Sequence, residues 1–377
     1  MSILLISIVL IAFIYFFFIV GIAIAWFTVP ETQLPKTFIP KTKISVIIAV
    51  RNEANNIAEC VRRILSQNYP NTLFELIVVD DFSDDNTIKI LKTIQSEKLK
   101  IFSLSDYYSQ DIVAHKKKCI TLGVQHALGN LIVTTDGDCF ASANWLRYIA
   151  YTYEQTNAKV IAAPVKILHG NSILEKFQSL DYTGMMALTA VGVYYNFLSL
   201  CNGANMAYEK AAFLAVNGFE DIETIASGDD VLLMEKLKSN FPQRLVFIKA
   251  KAATIETFAV KGLLNFIHQR IRWTSKSKLY TEISIKVIAL LVLLHCISVV
   301  FLFIVAFFNI QYLPFAIVII FLKSLSDLIL LATASTFFSN SYLLLYFPLL
   351  QIFHILYISS IGILGNIIQS KWKGRKV

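Results

Sequence analysis

The amino-acid sequence predicts an α/β domain carried between an N-terminal membrane helix and a C-terminal bundle of membrane helices. Its 377 residues are 56% hydrophobic, which excludes an ordinary soluble protein. Charge is concentrated in the middle: residues 31–283 hold 25 of the 26 acidic residues and 28 of the 34 basic ones, whereas residues 1–30 hold none. Within that middle region, short β-rich runs alternate with helical stretches, a pattern typical of a βαβ sheet.

Residues 1–29 are predicted to form a transmembrane anchor. Ser2 to Phe27 is an uncharged apolar run, and about 20 such residues are needed to cross a bilayer core. The run lacks the basic start and the small-residue cleavage site of a signal peptide. Lys36, Lys41 and Lys43 follow it directly, so the positive-inside rule places the middle region in the cytoplasm.

Residues 40–260 are predicted to form the α/β domain. The expected strands and helices, in order, are a strand at Ile44–Val50, a helix at Glu53–Gln67, a strand at Glu75–Asp80, helices at Asp85–Glu97 and Lys116–Leu128, and strands at Asn130–Thr135 and Val160–Pro164. Polar residues follow the carboxyl ends of the first, second and third strands. Because ligands of open α/β sheets bind at this edge, the sequence predicts one ligand crevice there.

The C-terminal part begins with residues 261–283, predicted to be an amphipathic interfacial segment. Residues 284–370 contain three predicted transmembrane segments, near Ser284–Phe308, Tyr312–Phe337 and Tyr342–Ile368. Three crossings would leave the C-terminus outside, whereas the basic tail 371–377 favours the inside. The middle segment also carries Lys323 and Asp327. Two explanations stay open: that segment is re-entrant or paired inside the bundle, or the charge rule fails at the tail.

The cysteine count and the net charge exclude two classes of protein. Five cysteines without a CxxC pair argue against a disulfide framework and against a zinc site. The net charge of +8 does not indicate a nucleic-acid partner, because basic residues that flank apolar spans set membrane orientation or contact anionic lipid. We therefore expect a membrane protein with no nucleic-acid partner.

Two carboxylates separated by a glycine follow the predicted strand that ends at Thr135. Asp136 and Asp138 are hard oxygen ligands of the kind that hold Mn2+ or Mg2+, and such an ion bridges a diphosphate. An isolated DxD is also a common turn with solvated acids. The position directly after a buried strand favours the metal site.

Further polar groups are expected at the same edge. Capping explains Ser83–Asp85 before the next helix, but it does not explain Asp80 and Asp81 at the strand end, which would accept hydrogen bonds from a nucleobase or a ribose. Bases at a helix start oppose the helix dipole, which favours a phosphate-facing role for Lys116 or Lys117. Which lysine has this role stays open.

A second acidic pair, Asp229 and Asp230, precedes another helical run. Capping of that run is the alternative explanation for Asp229. Asp230 is the predicted general base, because transfer of a group to a hydroxyl needs a carboxylate within reach of the attacking proton. An interfacial helix at Lys261 to Tyr280 explains Lys276 and Lys278, but it does not require Gln269, Arg272 and Trp273 in that order.

In this order the motifs resemble those of the family 2 glycosyltransferases. The matching blocks are Asn52-Glu53, Asp80-Asp81, Asp136-Gly137-Asp138, Gly203-Ala204-Asn205, Gly228-Asp229-Asp230 and Gln269-x-x-Arg272-Trp273. The chain looks most like the membrane-embedded branch that contains cellulose, chitin, hyaluronan and poly-N-acetylglucosamine synthases. The resemblance covers about residues 40–280 and the membrane layout. It implies a GT-A fold, a Rossmann-like nucleotide-sugar domain with a mixed sheet and flanking helices.

The resemblance also implies roles for the matching residues. Asp80 or Asp81 would lie at the uracil of the donor, and the full set of donor-binding residues would be Asn52, Glu53, Asp80, Asp81, Lys116, Lys117, Asp136, Gln269 and Arg272. The cation would bind Asp136 and Asp138, and the acceptor would contact Gly203, Asn205 and Trp273. Asp230, with Asp229 beside it, would be catalytic. Two departures are present. Gly228-Asp229-Asp230 replaces the family's Thr-Glu-Asp, and Ala49-Val50-Arg51 stands where the family has a proline.

The predicted function is that of a membrane-bound inverting glycosyltransferase. It would use UDP-glucose or UDP-N-acetylglucosamine and form a β-linkage on a glycan or lipid acceptor at the plasma membrane, since one base acting on an acceptor hydroxyl gives inversion. One alternative is the addition of a single sugar to a lipid, as in ceramide or polyprenyl-lipid glycosyltransferases. A remote alternative is a membrane scaffold or transport component in which Lys323 and Asp327 line an ion path.

Overall fold

The computed structural model describes residues 3–365, 367, 371–372 and 375–376. Its helices are α1 (Ile3–Thr28), α2 (Ile57–Leu65), α3 (Thr87–Thr93), α4 (His115–His126), α5 (Trp145–Thr156), α6 (Ile173–Tyr194), α7 (Lys210–Ala215), α8 (Asp229–Asn240), α9 (Leu263–Thr274), α10 (Ile283–Phe308), α11 (Leu313–Phe338) and α12 (Phe347–Leu364). Its strands are β1 (Ile44–Val50), β2 (Phe74–Asp80), β3 (Leu99–Ser103), β4 (Leu131–Asp136), β5 (Cys139–Phe140), β6 (Val160–Ala162), β7 (Val165–Leu168), β8 (Met206–Glu209), β9 (Leu245–Phe247), β10 (Ile255–Phe258), β11 (Lys371–Trp372) and β12 (Arg375–Lys376). The first two residues of the predicted anchor, the end of the last predicted membrane segment at 368–370, and residues 373, 374 and 377 of the predicted tail lie outside the described residues.

The chain divides into two compact units, each assembled from separate stretches of sequence. The sheet unit comprises Pro30–Leu168 and Gly192–Phe258. The helical unit comprises Met1–Val29, His169–Val191 and Ala259–Val377. The helical unit therefore takes most of α6 from the middle of the sequence, where only the α/β domain was expected.

The sheet unit contains a seven-stranded mixed sheet in the order β3-β2-β1-β4-β8-β6-β9. The first four strands of this order run parallel, β8 runs antiparallel to both of its neighbours, and β6 and β9 are parallel. A smaller sheet has the order β5-β10-β7. The predicted α/β class with a mixed sheet is confirmed.

The register of the parallel strands brings the predicted motifs to one edge. Val50 pairs with Asp80, and Ala49 pairs with Asp136, so the polar residues that follow β1, β2 and β4 lie side by side. Helix α4 packs closely on β1, because a Cβ on Gly123 would lie 2.6 Å from Ile47 Cγ2. This close packing helps to position the start of α4, with its lysines.

Helices α2 and α3 are shorter than predicted. The residues before α2 do not continue the helix, because their backbone groups bind the loop before α3: Glu53 N donates to Thr87 Oγ1 at 2.8 Å, and Ala54 N donates to Asp85 Oδ2 at 3.1 Å. The sheet edge is therefore closed by two loops that are hydrogen-bonded to each other.

The helical unit contains four helical stretches that are long and apolar enough to cross a membrane: Ile3–Thr28, Ile283–Phe308, Ile310–Phe338 and Ser341–Leu364. Helix α1 runs parallel to α11, since Tyr15 contacts Asp327 and Trp26 packs on Phe337 with ring centroids 5.6 Å apart. The N-terminal helix and the C-terminal bundle predicted from the sequence are present.

The charged pair of the middle segment lies inside this bundle. Lys323 is fully buried, and its Nζ lies 2.6 Å from Asp327 Oδ2. Asp327 also accepts hydrogen bonds from Tyr15 OH at 2.6 Å and from Gln351 Nε2 at 2.8 Å. The expected pairing of this segment inside the bundle is present.

Removing one member of this buried pair should destabilise the bundle more than removing both. Lys323→Met leaves an unpaired buried carboxylate, and we expect it to lower the free energy of unfolding by about 3–5 kcal/mol. The double variant with Asp327→Leu should recover most of this loss, because it leaves no unpaired charge. Unfolding in detergent measures both, and an equal loss in the single and double variants would contradict the prediction.

Candidate active site

A lysine and three carboxylates meet at the carboxyl edge of the large sheet. Lys116 Nζ, at the start of α4, lies 2.8 Å from Asp136 Oδ1 at the end of β4. The same ammonium lies 3.5 Å from Asp229 Oδ2 at the start of α8. Motifs more than 90 residues apart in the sequence are thus in direct contact.

Asp230 is held by two backbone N–H groups. Gly203 N donates to its Oδ2 at 3.0 Å, and Val231 N donates to its Oδ1 at 2.8 Å. A Cβ on Gly203 would lie 3.4 Å from Lys116 Nζ and 3.5 Å from Asp229 Oδ2, so this glycine forms one wall of the cluster. The backbone at Gly203 therefore fixes the carboxylate that was predicted to be the base.

The environment shifts the pKa of both the base and the lysine. Burial raises the pKa of Asp230, and the negative charge of Asp229 raises it further, while Lys116 and the two N–H donors oppose the shift. Burial would lower the pKa of Lys116, but the carboxylates of Asp136 and Asp229 outweigh burial, so the pKa of this lysine is raised. The cluster thus keeps Lys116 cationic beside a carboxylate that takes up a proton more readily than usual.

This pKa shift predicts the pH dependence of any reaction in which Asp230 is the base. The base must be ionised, so the rate should fall as pH falls through a pKa above the usual aspartate value of about 3.9. Asp229→Asn should move that acidic limb to lower pH, because it removes a neighbouring negative charge. Lys116→Met should move it to higher pH. Profiles of kcat against pH that shift in the same direction for both variants would contradict this assignment.

Asp80 and Asp81 have different surroundings although both are buried. Asp81 Oδ1 lies 2.6 Å from His115 Nδ1. Asp80 Oδ2 accepts a hydrogen bond from Ser83 N at 3.1 Å, but its buried Oδ1 has no hydrogen-bond partner in the part of the chain that the structure describes. Burial raises the pKa of Asp80. Of the two acids, Asp80 is the one with an oxygen left for a ligand.

Asn52 and Glu53 shape the loop after β1. Asn52 adopts a left-handed backbone conformation with φ 50°, and its Oδ1 accepts a hydrogen bond from Asp84 N at 2.9 Å. Glu53 Oε2 accepts one from Asn56 Nδ2, and Glu53 Cγ would lie 3.2 Å from a Cβ on Gly137. Only a residue without a side chain fits easily between Asp136 and Asp138 at this position.

Three groups at the end of β4 lie close enough to share a metal ion. Ligand atoms of Asp136, Asp138 and Cys139 all lie within 4.8 Å of one another. Burial and the charge of Asp138 hold the pKa of the Cys139 thiol well above its usual value, so it stays a neutral and poor ligand. The two carboxylates are hard oxygen donors and fit Mn2+ or Mg2+.

Two residues that were expected to bind a ligand form hydrogen bonds with other groups of the protein. The ammonium of Lys117, which is 1% exposed, donates to the carbonyl groups of Ile222 and Ile225 at 2.8 and 2.7 Å. It therefore ties down the loop before α8, and of the two lysines Lys116 is the one that faces the carboxylates. Asn205 is fully buried. Its Oδ1 accepts a hydrogen bond from Trp145 Nε1, and its Nδ2 donates to the carbonyl groups of Pro164 and Ala253. The Asn205 side chain is thus enclosed by protein groups, and its expected contact with an acceptor stays a prediction.

Gln269, Arg272 and Trp273 lie on α9 in the helical unit, and each is partly buried. The residue between them that is almost fully buried is Arg270, at 2% exposure, and it pairs with Asp181 of α6. Neither Arg270 nor Asp181 was expected to matter, and neither was His115. The sequence shows an arginine at position 270 in an amphipathic run, but it does not show that this side chain is buried.

Comparison with known proteins identifies the family. The profile of glycosyl transferase family group 2 matches residues 131–356, more than half of the chain, and that of glycosyl transferase family 2 matches residues 45–182. The chain belongs to glycosyl transferase family group 2. The predicted resemblance to family 2 is therefore confirmed, whereas the synthase branch stays a prediction.

Relatives of this family 2 chain include Glycosyltransferase AglE of Haloferax volcanii and a beta-monoglucosyldiacylglycerol synthase of Trichormus variabilis. The first is 29% identical over 138 residues, which is 36% of this chain and 44% of that protein. The second is 25% identical over 241 residues, which is 61% of this chain and 48% of that protein. The chain thus spans about half the length of these relatives.

A solved structure shares the fold of this family 2 chain. Mannosyltransferase PcManGT from Pyrobaculum calidifontis, in complex with GDP-Man and Mn2+, aligns with a TM-score of 0.59 at 17% identity. The alignment covers 95% of this chain and 97% of that one. At this identity the likeness concerns the fold alone, and it agrees with the GT-A-like sheet described above.

Proposed function

We propose that this protein is a membrane-bound inverting glycosyltransferase that moves a sugar from a UDP-sugar to an acceptor hydroxyl. The observation that carries the proposal is the contact cluster of Asp230, Asp229, Lys116 and Asp136. It combines a carboxylate with a raised pKa and a cation that suits a diphosphate. A base and a diphosphate site in one crevice are what transfer from a nucleotide sugar requires.

Each side chain of this cluster has one role in the proposed sugar transfer. Asp230 takes the proton of the acceptor hydroxyl as that oxygen forms a bond to the anomeric carbon, and the bond from this carbon to the diphosphate oxygen breaks. Lys116 stabilises the negative charge that develops on the leaving diphosphate. Asp136 and Asp138 would hold a divalent cation, which would supply further charge neutralisation there. A single displacement of this kind inverts the configuration and gives a β-linkage from an α-linked donor.

Donor recognition is assigned to the loops after β1 and β2. Asp80 Oδ1, which has no hydrogen-bond partner among the described residues, would accept the hydrogen bond of a uracil N–H. Asp81 contacts His115 of α4, and Asn52 and Glu53 bind groups of the surrounding loops. We propose UDP-glucose or UDP-N-acetylglucosamine as the donor. Because a structure with the same fold was solved with GDP-Man, GDP-mannose is the matched competitor in any donor test.

We place the enzyme in the plasma membrane with the sheet unit in the cytoplasm, on the strength of its membrane-length helices and of Lys36, Lys41 and Lys43 after the first of them. The acceptor is a glycan or a lipid. Single transfer to a lipid is supported by the name of the Trichormus relative, which is that of a glycolipid synthase. In either case we propose, from the family motif, that Gln269 and Arg272 contact the donor and that Trp273 contacts the acceptor.

A donor panel tests this function. The purified protein in detergent should release UDP from UDP-glucose or UDP-N-acetylglucosamine when Mn2+ and a membrane lipid extract are present, and EDTA should abolish the release. One sugar per lipid would support single transfer, and a ladder of products would support polymerisation. Failure to bind any nucleotide sugar in the presence of Mn2+ would contradict the proposal and favour a non-catalytic scaffold.

A further inference from the structure

The buried side chain of Arg270 packs against the ring of Trp273, in the block Gln269-x-x-Arg272-Trp273. Arg270 Cζ lies 4.4 Å from the centroid of the Trp273 ring, which is cation–π distance. Its Nη2 lies 3.0 Å from Asp181 Oδ2 on α6. Next to Asp181 on the same helix, Tyr182 packs against Trp273 with ring centroids 6.4 Å apart. One helix thus supplies the acid that holds the arginine and a ring that contacts the tryptophan.

Helix α12 closes this cluster from the other side. Arg270 Cζ lies 6.0 Å from the ring centroid of Tyr357 on α12, and 5.1 Å from that of Phe266 on its own helix, α9. His354 Nε2 lies 3.8 Å from Asp181 Oδ1. The guanidinium is therefore enclosed by aromatic rings, and Asp181 is the carboxylate that balances its charge among the residues that the structure describes.

A buried ion pair is weak evidence for stability, because apolar residues of similar volume stabilise a core as well or better. The geometry here gives the pair a different use. A planar guanidinium beside a carboxylate offers a flat, charged face to one side of an indole ring, and an ammonium cannot do this. The guanidinium of Arg270 lies against the Trp273 ring, which is itself only partly buried.

We propose that Arg270, held by Asp181, is a positioning residue that fixes the Trp273 ring for the acceptor. This inference rests on the proposed function, in which Trp273 contacts the acceptor. It predicts that disturbing Arg270 affects acceptor use and leaves donor use unchanged.

The test compares Arg270→Lys with the wild type in detergent. Lysine keeps the charge but loses the planar stack, so the KM for the acceptor should rise at least fivefold. The KM for the donor and the release of UDP in the absence of acceptor should not change. Arg62→Lys, at an exposed surface arginine, is the matched control and should change nothing. A lower kcat with both KM values unchanged would overturn the proposal.

A double-variant cycle separates positioning from general support of the fold. In a Trp273→Leu background, Arg270→Lys should change the acceptor KM by less than twofold, because the ring that it positions is gone. Additive effects of the two substitutions would overturn the proposal. If Arg270→Lys does not fold, Asp181→Glu is the substitute, since it keeps the charge while moving the carboxylate. Absence of transfer by the wild type would instead contradict the proposed function.

A separate observation concerns the membrane layout. Helix α11 ends beside the end of α1, where Phe337 packs on Trp26, and Asn340 then donates to Thr183 Oγ1 of α6 at 2.9 Å. The chain leads from this side into α12. If it crossed the bilayer, its other end would lie at the opposite side, near the turn between α10 and α11.

The far end of α12 instead returns to the side from which it started. A Cβ on Gly365 would lie 2.7 Å from Thr274 Cβ, at the end of α9, which precedes α10. Gly362 lies against Leu293, in the first half of α10. We infer that α12 does not cross the membrane, so the chain crosses three times and the basic tail lies on the same side as Lys36, Lys41 and Lys43. The conflict between the predicted crossings and the charged tail then disappears.

Cysteine labelling in intact cells tests this layout, with Gln311→Cys between α10 and α11 and Val377→Cys at the C-terminus. A membrane-impermeant maleimide should label Gln311→Cys in intact cells and Val377→Cys only after permeabilisation. The wild type is the control, because its five cysteines are buried or partly buried. Labelling of Val377→Cys in intact cells would overturn the inference.

Discussion

Asp230→Asn is expected to lower the rate of sugar transfer by about 10²- to 10⁴-fold, the range that general-base catalysis contributes. The amide cannot accept the proton of the attacking hydroxyl. Donor binding should survive, because Lys116, Asp136 and Asp80 are untouched. Donor affinity from nucleotide titration and initial rates of transfer measure the two effects separately.

The control for this variant must address folding, because both oxygens of Asp230 accept backbone hydrogen bonds and an amide keeps only one of them. The thermal unfolding of Asp230→Asn should therefore be compared with that of Asp221→Asn, at an aspartate that is 91% exposed. A well-folded Asp230→Asn variant that transfers sugar within a few-fold of the wild type would remove Asp230 from the role of base.

Asp138→Asn is expected to weaken the response to Mn2+ by about 10- to 100-fold or more, since loss of a supporting group alone has an effect of that size at metal sites. The variant removes one of the two hard ligands after β4. Excess Mn2+ should restore part of the transfer rate. Titration of transfer with Mn2+, together with the electron paramagnetic resonance signal of free Mn2+, measures the affinity directly.

Cys139→Ala is the matched control for the metal site. The thiol lies among the same ligand atoms, but its pKa is raised well above the usual value, so it should not bind a hard cation. Cys139→Ala should keep the Mn2+ affinity of the wild type. A loss as large as that of Asp138→Asn would show that the ligand set has been assigned wrongly.

The sequence was sufficient to predict the strands and the site at places where a buried strand ends at an acidic residue. Strands β1, β2 and β4 lie within one residue of their predicted bounds, and their parallel register brings Asp80 and Asp136 to one edge. Lys116 contacts Asp136 because the start of α4 lies at the same edge. Strand β3 was missed because it is an edge strand whose five residues are all only partly buried.

The sequence was not sufficient where a role depends on which way a side chain points. Lys116 and Lys117 are adjacent on α4, and one faces carboxylates while the other faces the carbonyl groups of a loop. Asn205 is polar in a family motif, yet its amide is enclosed by backbone groups and an indole. Tertiary packing decides both cases, and periodicity carries no information about it.

The configuration of the first product shows whether Asp230 acts as the base of an inverting transfer. After brief incubation with a UDP-sugar, Mn2+ and acceptor, the anomeric proton of the product can be read by NMR before any later reaction. We expect a β-linkage, because Asp230 acts as the single base of one displacement. An α-linked product would mean retention, and it would contradict both the single-displacement mechanism and the role of Asp230.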